Sequence, residues 1–224
     1  MRVNFLISEY TNWYILYIFE IENQFKMLTK ADYTTQFIIE KVAPLFNKKG
    51  YAATSMADIT KATGLTKGAI YGNFENKEAI AIAAFDKSVN DLLKRIAKHQ
   101  EQSPSPIQKL YLIADFYKTY FDYSKHIGGC PILNIGVNSH QQNSKLVERV
   151  QYIIQKTQNN IAKLVVWGIE AGEIKPTVDA VEFARRLYTQ IQGAVFMSHT
   201  MNDHSYLLDA ARNLEYTISK ELKI

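Results

Sequence analysis

At 224 residues, 47% of them hydrophobic and 21% charged, the chain can bury one sizeable core or two small ones and is too apolar for a disordered class. Five prolines and ten glycines are too few for a turn-rich β-protein, and one cysteine excludes an internal disulfide framework and fits a reducing cytoplasm. The net charge of +4 permits a polyanionic partner without requiring one. Apolar residues recur at three- and four-residue spacing almost throughout, so the expected fold class is all-α.

Residues 1–28 stand apart. Trp13 to Phe19 is apolar, but Glu9, Glu20 and Glu22 bracket it, and about 20 apolar residues are needed to span a bilayer. Neither a basic start nor a small-residue cleavage site marks a signal peptide. The segment reads as an extra arm, or as upstream sequence ahead of a start at Met27, and carries no functional assignment.

The organised pattern begins at Thr34, a plausible N-cap. Ile38, Val42, Leu45 and Phe46 share one helical face, Pro44 lies opposite, and Gly50 after Lys48 and Lys49 stops the helix. Ser55-x-x-Asp58 forms an approximate capping box for a short helix with Met56, Ile59 and Ala62 inward, ended by Gly64. Thr66 caps the next helix at Lys67, with Leu65, Ile70 and Phe74 on its packing side. Asn76 and Glu78 start a long helix to about Lys98. Glu101 to Pro106 is the clearest breaker, followed by one helix from Ile107 to Tyr123 and a break at Gly128–Pro131. Three long periodic segments complete the chain: about Ser144–Ala171, Val178–Met201 with Thr177 as cap, and Tyr206–Leu222.

Two short helices around a tight turn at Gly64 have helix-turn-helix geometry, in which the later helix enters the DNA major groove. Thr66, Lys67, Gly68 and Tyr71 then face outward. Glycine there lets backbones approach closely, and the helix start offers unpaired N–H groups to phosphate oxygens. Between Thr29 and Lys77 there are seven lysines against four acidic residues. Helical hairpins with glycine turns are also common without any such role, and a lysine collar is often only a solvated face.

Several motifs match together: Phe46…Gly50-Tyr51, Thr54-Ser55-Met56, GL-x-KG-x-IY, and Phe74…Asn76-Lys77-Glu78. With them, residues 34–85 resemble the DNA-binding domain of the tetracycline-repressor family of bacterial transcription regulators. The resemblance implies that Thr54 or Ser55, Tyr71 and Lys77 touch phosphates, and that Thr66, Lys67, Gly68 and Ala69 lie against bases. Gly72 and Asn73 depart from the family's bulky residue and histidine, leaving Asn73 as a substitute phosphate donor. The implied division is 29–80 for DNA binding and 81–224 for effector binding and dimerisation. The implied activity is a repressor that binds an inverted-repeat double-stranded operator as a homodimer, without a membrane partner, and is released by a small molecule.

In the body, Val181–Met201 is too apolar for one buried face, and Tyr206, Leu207, Ala210, Leu214 and Ile218 form a second stripe. Together they fit a four-helix dimer seam through the last two helices. Aromatic and amphipathic side chains supply candidates for an apolar or aromatic effector pocket. Phe116, Tyr117, Tyr120 and Trp167 precede the last two helices; Phe183, Tyr188, Gln192, Phe196 and Met197 lie on the first of them. Such residues at helical spacing also make plain core. Cys130 has two readings, an inert buried thiol or a redox sensor with lowered pKa. His126 and Cys130 are four apart, but Gly128-Gly129 breaks the helix that metal spacing would need, so no metal site is expected. No cofactor motif appears. No nucleophile, base and orienting group cluster, so an enzyme with its site in the helical body is the weaker alternative.

Overall fold

The computed structural model describes residues 29–139 and 144–224, so the expectations for residues 1–28 lie outside the described residues. The chain divides into two units, residues 1–37 and 38–224. In the first, Thr29 and Asp32 cap each other at the opening of α1 (Lys30–Ala53): the Thr29 amide and hydroxyl each donate to Asp32 Oδ2 at 2.8 Å. The helix therefore starts before Thr34. Asp32 lies three residues beyond Thr29 and can cap back, whereas Phe37 holds that place for Thr34.

In the second unit α1 passes through the exposed Pro44 and breaks at Gly50, whose φ of 77° is left-handed. α2 (Met56–Thr63) carries the full Ser55–Asp58 capping box and ends at Gly64 with φ 69°. α3 (Lys67–Tyr71) is capped by Thr66, and α4 (Lys77–Gln100) by Asn76. Ile38, Val42, Phe46, Ile59, Ile70 and Phe74 meet inside as the periodicity requires. Ala62, expected inward, is exposed, and Thr63 takes the buried place, one helical turn from Ile59.

The expected helix from Ile107 to Tyr123 is two: α5 (Pro106–Lys118) and α6 (Tyr120–His126), parted at Thr119. α7 (Pro131–Ser139) was not anticipated. Pro131 at its first position was its legible signal, since proline suits a helix start. α8 (Ser144–Glu170) and α9 (Ala180–Met201) follow. Asp179, not Thr177, caps α9, because its carboxylate accepts from the Val181 and Glu182 amides. α10 (Ser205–Thr217) passes into a π-helical turn, Ile218–Leu222. α9 packs on α8 and α10, α10 on α5, and α7 on α8 and α4. The described elements are all helical apart from an isolated bridge between Ile174 and Lys223. No described helix is long and apolar enough to cross a membrane.

One joint ties α1 to the turn between α6 and α7. The buried Asn47 donates its two amide hydrogens to the carbonyls of Ile127 (2.6 Å) and Gly129 (2.9 Å). Asn134 answers, donating to the carbonyls of Asn47 (2.8 Å) and Gly128 (2.9 Å). Gly128 and Gly129 hold φ of 86° and 111°, and a Cβ on Gly129 would run into the Asn134 amide. Gly129→Ala should therefore lower unfolding stability by about 2 kcal/mol or more. The shift of the urea midpoint relative to the parent chain measures it.

Candidate functional site

The surface around α3 is built by three caps. Ser55 Oγ donates to Asp58 Oδ2 at 2.7 Å and accepts from the Asp58 amide, so α2 starts rigidly. The Lys49 ammonium, 2.7 Å from Asp58, holds that carboxyl well below the usual range, with the Ser55 amide and hydroxyl adding to the effect. Thr66 Oγ1 accepts from the Ala69 amide and orients the first turn of α3. Thr66, Lys67, Gly68 and Ala69 are consecutively exposed, and Tyr71 is 44% exposed beside them. A Cβ on Gly68 would meet nothing nearer than Thr66 Oγ1 at 4.0 Å. No packing in the fold requires glycine there, although glycine in a helix costs about 1 kcal/mol. Asn73 donates to the Ala69 carbonyl and so closes the helix on the same side.

Two of the expected phosphate contacts are differently engaged. Thr54 is wholly buried and its hydroxyl donates to the Gly50 carbonyl at 2.7 Å, so of the Thr54–Ser55 pair only Ser55 reaches the surface. Lys77 is half-buried, donates to the Thr54 carbonyl at 2.8 Å and lies 4.3 Å from the centre of the Tyr51 ring. Burial lowers its pKa. It braces the end of α1 against the start of α4.

In the body, the structure gathers part of the expected pocket. Phe116, Tyr117 and Tyr120 stack edge to face or tilted, with Tyr117 and Tyr120 ring centres 5.1 Å apart. Burial raises the pKa of Tyr117, Tyr120 and Tyr188, with the nearby Cys130 thiol adding to each. Cys130 Sγ points to Gln192 Oε1 at 4.0 Å. Its own pKa is raised by burial, against partial relief from Tyr120 and the Leu133 and Ile132 amides. That is the opposite of an activated thiol. The remaining expected residues are dispersed. Trp167 is half-buried on α8, and Phe183 lines a groove with Arg186 and Glu221 near the π-helical turn. Phe196 and Met197 are exposed on α9. Phe196 lines a groove of about 280 Å3 together with Cys130, Leu133, Asn134, Val137 and His199. Among the described residues no three His, Cys, Asp or Glu side chains come together as metal ligands.

Residues 38–84 match the family described as bacterial regulatory proteins, tetR family, and residues 106–214 match the tetracyclin repressor-like C-terminal domain. A crystal structure of a TetR-family transcriptional regulator from Cytophaga hutchinsonii is 33% identical, covers 88% of this chain and 98% of its own, and superposes with a TM-score of 0.81. The chain belongs to the tetracycline-repressor family. Among curated relatives, the fatty acid metabolism regulator protein of Bacillus subtilis is 26% identical over 81% of this chain and 92% of its own length. The transcriptional repressor DhaR of a Mycobacterium species is 26% identical over 71% and 79% respectively. As a member of this family, the chain is a DNA-binding transcriptional regulator of helix-turn-helix type.

For a tetracycline-repressor family chain, the residues that sequence reasoning missed are those joining its two family regions. Asn47 and Asn134 are polar groups beside apolar neighbours, and that unusual placement was their only signal. His199 is similar. Its Nε2 lies 2.8 Å from Ser124 Oγ, and burial first, then Lys125, lowers its pKa. The unfolded chain therefore takes up this proton first as pH falls. Stability should decline on going from pH 7.5 toward 5.5, and His199→Gln should flatten that slope in thermal melts followed by circular dichroism.

Proposed function

We propose that this regulator is a cytoplasmic homodimeric repressor, in which each subunit presents one α3 to one half of an inverted-repeat operator. The carrying observation is the run Thr66, Lys67, Gly68 and Ala69, exposed in sequence around a glycine that the fold itself does not need. A bare helix start of this kind suits close approach to base edges, with Lys67 able to reach guanine acceptors or a phosphate. Ser55, Tyr71 and Asn73 supply the backbone contacts, together with the Lys77 ammonium, which keeps N–H donors beyond the one given to the Thr54 carbonyl. Residues 29–80 form the DNA-binding part; residues 81–224 bind the effector and dimerise.

Dimerisation runs through α9 and α10. Phe196, Met197 and Met201 on α9 and Tyr216 on α10 are large apolar side chains left exposed, which supports a seam there. Paired heads need a spacing of about 34–36 Å to meet successive major grooves. A small apolar or aromatic effector in the body changes that spacing and releases the operator. The name of the Mycobacterium relative supports repression as the direction of control.

Gel shifts on selected and random duplexes test the roles. Lys67→Ala should reduce the preference for the selected duplex by about tenfold or more. Lys77→Ala should weaken all duplexes alike and lower the slope of log affinity against log salt by about 1. If both variants bind like the parent, the assignment of roles is wrong.

A further inference from the structure

The caps of the helix-turn-helix place one negative charge where DNA phosphates are expected. Asp58 is the sole acidic residue of α2 and α3, and it stands in the first turn of α2. The capping box needs it there: Oδ2 accepts from the Ser55 amide at 2.9 Å and from the Ser55 hydroxyl at 2.7 Å. Beside it Ser55 and Ala57 are exposed, and the Met56 and Ala57 amides have no acceptor within the helix. Those donors suit a phosphate, whereas a bare carboxylate next to them repels one. A residue from another helix meets this conflict. Lys49, the last residue before α1 breaks at Gly50, sets its ammonium 2.7 Å from Asp58 Oδ1, the oxygen that Ser55 does not use. Bonded to Lys49 and to Ser55, the carboxyl stays ionised at physiological pH, so the lysine and not a proton cancels its charge. An ion pair as exposed as this, 44% for Lys49 and 27% for Asp58, contributes little to stability; its main effect is on the local field.

We propose that Lys49 is a positioning residue for DNA binding, which neutralises Asp58 and leaves the α2 start open to a phosphate without gripping that phosphate itself. This rests on the reading of the Ser55 side of α2 as a backbone-contacting surface and deepens it. Asp58 keeps the Ser55 amide and the lysine when the Ser55 hydroxyl turns its hydrogen to a phosphate, so the cap survives the exchange. Without Lys49 the same carboxylate would face the phosphate uncompensated.

Gel shifts of the full chain on selected and random duplexes across a salt series test this, with Lys49→Met, Asp58→Asn and the double variant. Lys49→Met should weaken every duplex about fivefold to tenfold, because it uncovers the carboxylate. Asp58→Asn removes the charge and keeps an oxygen for the Ser55 amide, so it should bind as tightly as the parent or tighter. The double variant should return to within about twofold of the parent, with the parent's salt slope. Lys49→Arg keeps the charge and should keep the affinity, and thermal melts verify the fold of each variant. An equal loss for Lys49→Met in both backgrounds, with a slope lower by about 1, makes Lys49 a direct phosphate ligand and overturns the proposal. A loss in Asp58→Asn as large as in Lys49→Met makes the pair a brace of the cap alone and overturns it too, as does unchanged binding by Lys49→Met. A parent chain that binds no duplex overturns the DNA-binding reading itself, whereas a parent that binds, with additive losses in the variants, rejects only the role of Lys49.

Discussion

The reciprocal amide joint between Asn47 and the Gly128–Gly129 turn is the constraint on which the rest of this architecture depends. Asn47 sits on the last regular turn before Gly50 breaks α1, so it is rigidly placed by the helix that packs over α2 and α3. Its amide hydrogens go to Ile127 and Gly129, and Asn134 returns two bonds to Asn47 and Gly128. Four part-buried bonds couple the two family regions more stiffly than apolar contact alone, because hydrogen bonds have direction and dispersion does not. The left-handed glycines make the carbonyls available, and Gly129 leaves the room that the Asn134 amide occupies.

Cys130 follows this joint directly, is buried, and turns its sulfur toward Gln192 on α9. Any change in the position of the Cys130 backbone is therefore a change at the anchor of α1. The joint and the buried thiol are neighbours by covalent geometry. The second brace, Lys77 to the Thr54 carbonyl and the Tyr51 ring, ties the start of α4 to the same end of α1. The end of α1 is thus held at two points, while the outer face of α3 takes part in neither.

That division explains the character of α3. Ile70 and Phe74 bury its inner side, Thr66 caps it, and nothing in the fold makes use of Gly68. A helix of five residues has little intrinsic stability, so its place is set by tertiary packing and by its caps. Its exposed residues are left to the partner.

The sequence by itself determined the helical class, the caps at Ser55, Thr66 and Asn76, the stop at Gly64, the inward stripe of Ile38, Val42 and Phe46, and the family motifs. Those are local properties: periodicity, side-chain-to-amide reach within three residues, and glycine's access to positive φ. It did not reveal α7, the division at Thr119, the burial of Thr54, or the engagement of Lys77. Nor did it show which aromatic residues gather. Tyr117 and Tyr120 pack ring to ring at 5.1 Å across the division at Thr119, while Phe196 and Met197, on the same helix as the buried Tyr188, face outward. Only the tertiary structure decided these, because burial and hydrogen-bond partnership depend on which helix packs opposite. That choice is made by the whole core, whereas spacing along one helix only offers the faces.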